Sequence, residues 1–158
     1  MAVQYINILE ESLKKKISVL DEIIAKNEEQ KVILDAENFD MEAFDKNTQE
    51  KGELIDKLNL LDDGFENVYE RVKEELTGNK EMYKVQIKRL QDCIREITEK
   101  SVFIQTTEQR NRKTIEAKFR KEREKVQLGK SSMKVAEQYY NNMNRLNAVA
   151  PQFMDNKK

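Results

Sequence analysis

Apolar side chains recur at three- and four-residue steps in three long stretches, the spacing that gathers them on one face of an α-helix. The longest begins near Lys80, where Tyr83, Ile87, Leu90, Ile94, Ile97 and Ile104 form one seam. Asn79 stands before it as a candidate N-cap, and Gly129 is the first later residue suited to a closing left-handed turn. A helix over residues 80–127 would be roughly 70 Å long. The first stretch predicts a helix over 3–36, with Ile6, Leu9, Leu13, Ile17, Leu20, Ile24 and Leu34 on its seam. Two consecutive four-residue steps from Leu9 to Ile17 slip the heptad phase, which favours a bundle over an ideal two-stranded zipper. The second predicts a helix over 40–77, with Asp40 as N-cap, Phe39 and Phe44 as a hydrophobic staple, and Gly78 as C-cap. Its seam runs through Met41, Phe44, Thr48, Lys51, Ile55, Leu58, Leu61, Phe65, Val68, Val72 and Leu76, and only the second half is strongly apolar. Gly52 and Gly64 weaken this helix and call for a bend or a close helix contact rather than a hinge.

The lengths predict an all-α fold, an elongated antiparallel three-helix bundle or coiled coil with hairpin bends near 37–40 and 77–79. The third helix overshoots, so residues 116–127 are expected to leave the bundle. The chain then divides into two regions: a helical bundle over 1–129, and a C-terminal amphipathic helix and flexible tail over 130–158. In the second, Val135, Ala136, Tyr139, Tyr140, Met143 and Leu146 form an apolar stripe opposed by asparagines, too short to be a stable helix alone. The stripe either folds back on the bundle or waits for a partner.

Composition reinforces the helices, since charged residues make up 37 % of the chain and glycine and proline are scarce. The net charge of −1 hides an asymmetry: residues 1–77 carry 10 basic and 20 acidic side chains, residues 110–134 carry 10 and 3. This basic segment either attracts an acidic partner or keeps an exposed helix solvated, the commoner case. Phe119 is the only aromatic among its basic residues, so no nucleic-acid partner is expected. No apolar run approaches a membrane span and no basic-then-apolar leader pattern opens the chain, which makes the expected location cytoplasmic with no membrane insertion.

Candidate chemistry is sparse. Histidine is absent, which removes histidine-based acid–base catalysis, Ser-His-Asp and Cys-His arrangements, and the Glu-x-x-His ligand set of di-iron bundles. There is no phosphate-binding glycine loop. The carboxylate groups Asp21/Glu22 and Asp62/Asp63/Glu66 read as solvated faces, and Cys93, beside the Leu90/Ile94 seam, as a packed, inert thiol. The expectation is a binding protein, not an enzyme, with no cofactor and no metal.

The three-helix plan, Asp40-Met41-Glu42-Ala43-Phe44, the stretch Leu61-Asp62-Asp63-Gly64-Phe65-Glu66-Asn67-Val68-Tyr69, and the tail motifs Gln138-Tyr139-Tyr140-Asn141-Asn142-Met143 and Pro151-Gln152-Phe153-Met154-Asp155 resemble the FlgN group of flagellar export chaperones in its Gram-positive, clostridial form. One departure is Asn111 followed by Arg112-Lys113, where a leucine pair is expected. The resemblance implies a cytosolic chaperone that holds the C-terminal helices of hook–filament junction proteins and delivers them to the flagellar type III export gate. Phe119, Val126, Val135, Tyr139, Tyr140, Met143 and Leu146 are the candidate partner-binding residues. The alternatives are a structural coiled-coil interaction protein or a filament-cap chaperone of the FliT type, and a homodimer of the free protein stays open.

Overall fold

The computed structural model describes residues 2–120, which form three helices: α1 (Ala2–Asp35), α2 (Met41–Gly78) and α3 (Lys84–Phe119). No strand occurs among these residues, and the all-α fold is as the sequence predicts. The helices run up, down and up, with α1 parallel to α3 and antiparallel to α2. α1 is the shared element, because no Cα of α2 comes within 8 Å of one in α3. Those two helices meet only through long side chains, such as the Lys51–Glu108 ion pair and the Phe44–Phe119 ring contact.

The heptad phase of α1 does not slip. Ile6, Leu9, Leu13, Lys16, Leu20, Ile23, Asn27, Gln30 and Leu34 are all buried, at strictly alternating three- and four-residue steps. The apparent slip arises because Lys16 holds the seam position between Leu13 and Leu20, so the apolar count steps to Ile17 instead. Ile17 and Ile24 flank the seam as half-buried residues packed on the core. α2 does carry an extra four-residue step: Asn47, Lys51 and Ile55 are buried in succession, a stutter that locally unwinds the packing.

The start of α2 follows the predicted chemistry. The Ala43 N–H donates to Asp40 Oδ1 at 3.1 Å, and the Phe39 and Phe44 rings lie 5.8 Å apart. Its end does not. Gly78 is the last helical residue and has no positive φ, so it closes nothing by left-handed geometry. Asn79 does the closing instead, its backbone N–H donating to the Leu76 carbonyl at 3.4 Å and its Nδ2 to the Glu75 carbonyl at 2.9 Å. Asn79 thus ends α2 rather than starting α3. α3 begins at Lys84 behind Tyr83, which gives the helix no side-chain cap; its hydroxyl donates to Glu75 Oε1 at 3.0 Å.

The close-contact explanation for the two α2 glycines fails. A Cβ at either Gly52 or Gly64 would meet nothing within 4 Å among the described residues. The overshoot of α3 is also smaller than expected. Because α3 starts four residues late and its last turns meet aromatic rings of the α1–α2 bend, residues up to Phe119 remain in the bundle. The expected boundary at 129, the helical extension to 127 and the C-terminal region over 130–158 lie outside the described residues.

Candidate functional site

Two apolar cores run through the bundle, divided by a polar layer. The larger extends from Ala2 and Ile6 to Ile104, including Leu58, Phe65, Tyr69 and Leu90. The smaller closes the far end: Leu34, Phe44, Ile115 and Phe119 are buried, with Phe39, Met41 and Ile33 packed against them. Its three rings form a triangle with centroids 5.3–5.8 Å apart, and the two pairs involving Phe119 are edge-to-face. Lys118 completes this end. Its Nζ donates to the Leu34 carbonyl in the last turn of α1 at 3.1 Å and lies 5.1 Å from the Phe39 ring centroid.

In the layer between, Asn27 Nδ2 donates to Thr107 Oγ1 at 2.8 Å. Asn111 Nδ2 donates to the Asn27 carbonyl at 3.0 Å and to Gln30 Oε1 at 3.1 Å. From α2, Lys51 donates to the same Gln30 oxygen at 3.4 Å and pairs with Glu108, while Asn47 donates to the Lys26 carbonyl at 2.9 Å. All three helices are therefore pinned at one height. Asn27 Oδ1, Gln30 Nε2 and Asn47 Oδ1 are buried without hydrogen-bond partners among the described residues. Such a layer is costlier than an apolar one, and what it supplies is register.

A second polar pair sits inside the larger core. Lys16 donates to Asp62 Oδ1 at 2.7 Å with both side chains almost wholly buried. Burial pushes the Lys16 ammonium below its ordinary range, and the Asp62 carboxylate only partly offsets this. The solvated-face reading of Asp62 is thereby corrected. Asp21 is exposed as expected and holds Lys100 of α3 at 2.6 Å. Cys93 is half-buried, and its thiol is pushed up by burial, then by Glu10, away from the reactive thiolate.

On the surface, an apolar groove lies between α1 and α2, where a recess of about 220 Å³ is bordered by Ile8, Ser12, Leu61, Gly64, Phe65 and Val68. Further along the same two helices, a second recess of about 400 Å³ has Glu22, Glu50 and Glu53 on its border beside Leu54. Sequence reasoning did not say which residues form this groove. Its only signal was Gly64, a helix-interior glycine that its own bundle does not require.

Of the candidate partner-binding residues, only Phe119 lies among the described ones. It is 1 % exposed and takes part in the end cluster, so it is not available on the surface as expected. The polar character of neighbouring Lys118 disguised it as part of a departing helix. Val126, Val135, Tyr139, Tyr140, Met143 and Leu146 lie outside the described residues. In the departure Asn111-Arg112-Lys113, Asn111 belongs to the polar layer and Arg112 faces solvent, paired with Glu116 at 3.5 Å. Other basic side chains of this segment are engaged internally, with Arg110 on Glu28 at 3.3 Å and Lys118 as above.

Among the described residues, no group of three or more histidine, cysteine or acidic side chains is placed to hold a metal ion, and no helix is long and apolar enough to cross a membrane. Fold and surface together define an elongated all-α bundle with an open helix–helix groove. The family described as FlgN protein matches residues 1–147, a span that takes in the whole described bundle. The chain belongs to the FlgN family and is a flagellar export chaperone. No curated protein and no solved structure matches it.

Proposed function

We propose that this chaperone works in the cytoplasm, holds the C-terminal helices of hook–filament junction proteins and hands them to the flagellar type III export gate. Val126, Val135, Tyr139, Tyr140, Met143 and Leu146 supply the contact surface. The observation that carries the reading is the closure of the described bundle by its own residues. Phe119, Ile115, Leu34 and Phe44 seal the end from which the chain continues. The stripe beyond is then surplus to the core, and aromatic rings with an adaptable thioether make good anchors for an amphipathic helix.

The test is titration of the full chain with the isolated C-terminal helices of a junction protein from the same flagellum, followed by calorimetry. Alanine at Tyr139, Tyr140 and Met143 should weaken binding at least tenfold. Deletion of residues 131–158 should abolish it while the remaining three-helix body still folds and melts cooperatively. A large loss of stability with binding retained by the refolded body would move the cargo site to the bundle. Preference for the filament-cap protein's helix would favour the FliT-type alternative.

A further inference from the structure

The two recesses between α1 and α2 lie in one channel, on the side of α1 turned away from α3. Its α1 border steps through Ile8, Lys15 and Lys26, and its α2 border, running the other way, through Val68, Leu61 and Leu54. The α1 side chains that pair with α3 are Glu10, Asp21 and Glu28, on the other flank. The channel has two different halves. Near the α1–α2 bend its border is net acidic: Glu22, Glu50 and Glu53 stand against Lys26 and exposed Lys57, and Lys26 is already engaged by Glu29 and Glu50 at 3.5 and 3.2 Å. Toward the opposite end Glu11 and Lys15 balance in charge, and the rest of the border is mostly apolar, with Ile8 46 % exposed over half-buried Leu61 and Val68. Gly64 opens the channel there, since a Cβ at that position would touch nothing within 4 Å.

The chain beyond the described bundle has the same two characters in the same order. Residues 120–134 carry six basic and two acidic side chains, and the stripe Val135, Tyr139, Tyr140, Met143 and Leu146 comes next. α3 ends at the α1–α2 bend, where Lys118 bonds to Leu34, eight residues along α1 from Lys26 on the border of the acidic half. From there to the level of Ile8 and Lys15 is about 35 Å along α1. Fifteen residues span up to about 50 Å when extended. We infer that the chain's own C-terminal segment is the groove's occupant in the cargo-free protein: residues 120–134 lie along the acidic half, and the Val135–Leu146 stripe seats against Ile8, Leu61, Gly64 and Val68. Charge order, chain length and point of departure select this occupant over a second copy, which has no reason to begin at the bend. The inference goes beyond the cargo assignment and is independent of which helix the chaperone holds. It makes the stripe a competitor for its own groove, released when a partner engages it.

The test places two thiols in the full chain. In a Cys93→Ser background, Gly64→Cys with Met143→Cys is treated with a short bismaleimide at micromolar protein, and Val102→Cys with Met143→Cys serves as the control on the outer face of α3. Circular dichroism establishes that each variant keeps its helix content. An intramolecular cross-link forming at least tenfold faster for the Gly64 pair supports the inference. So does a several-fold slowing of that reaction by Glu22→Lys/Glu53→Lys or by added salt at about 0.5 M. Equal rates for both pairs, no monomeric cross-link, or a covalent dimer as the main product would overturn it, the last by naming a second copy as occupant.

Discussion

Lys16 on its own is a charge in the wrong medium, and Asp62 on its own is another. The two offset each other, 2.7 Å apart and almost wholly buried. Lys16→Met or Asp62→Leu alone should therefore cost about 3–5 kcal/mol, because each removes the opposite charge that compensates a buried one. The double replacement should be close to neutral or stabilising, since it also removes both desolvation penalties. Urea melts of the two single variants and the double one check this, and additive losses would show that the pair is not coupled as the geometry requires. A pH arm comes from the lowered Lys16 pKa. The folded chain releases this proton below pH 10.5, where the unfolded chain still binds it, so this group's contribution to stability rises with pH toward that value and falls as pH drops through the folded pKa. The double variant should lack that component of the alkaline profile. Single-residue chemistry was also the least legible in the sequence. A lysine and an aspartate 46 positions apart look like two solvated charges until the α1–α2 register brings them together.

At the scale of the element, caps and apolar periodicity were readable, and polar core positions only in part: Lys51 was placed on the α2 seam and is buried, whereas Lys16 and Gln30 went unrecognised. Asp40, Phe39 and Phe44 announced the start of α2 because capping is a local interaction within a few residues. The phase of α1 was misread because polar Lys16 occupies the seam, so counting apolar residues stepped from Leu13 to Ile17 instead. Gly78 and Asn79 were assigned the wrong duties for a related reason. Both are terminators by propensity, and only the backbone shows that asparagine bonds back to Leu76 and Glu75 while glycine stays helical. The interior glycines offer a test at this scale. With no neighbour within 4 Å of an added Cβ, Gly52→Ala should stabilise α2 by about 0.5–1 kcal/mol through reduced freedom of the unfolded chain. A lower melting temperature would mean that Gly52 serves a bend or a contact after all.

Across the whole molecule, stability should be uneven. The end cluster of Leu34, Phe44, Ile115 and Phe119 is small and stands apart from the main core behind the layer of Asn27, Gln30, Asn47, Lys51, Thr107 and Asn111. Native-state hydrogen exchange should show amides of residues 107–119 opening at lower free energy than those of 90–104. Uniform protection along α3 would make the bundle a single cooperative unit. The three-helix plan was legible in the sequence because helix lengths and short connections leave few arrangements. The candidate site was hard to read for a related reason: Phe119 was expected on the surface and is buried, and the groove is made by residues of two helices that lie far apart in the chain, Ile8 and Ser12 against Leu61 and Val68.

The parallel run of α1 and α3 has a mechanical side. Ala2 and Phe119 stand at opposite poles of a rod about 50 Å long, joined by layers of side chains that all lie crosswise to the line between them. Tension applied between those two points loads every layer at once, as a lap joint is loaded in shear. Tension applied across the α1–α2 pair, between Ala2 and Gly78, peels the layers apart one at a time. In an optical trap the first geometry should rupture at a markedly higher force than the second. A pull along the line from Ala2 to Phe119 would leave the bundle intact at a force that would unzip the same helices taken from the side.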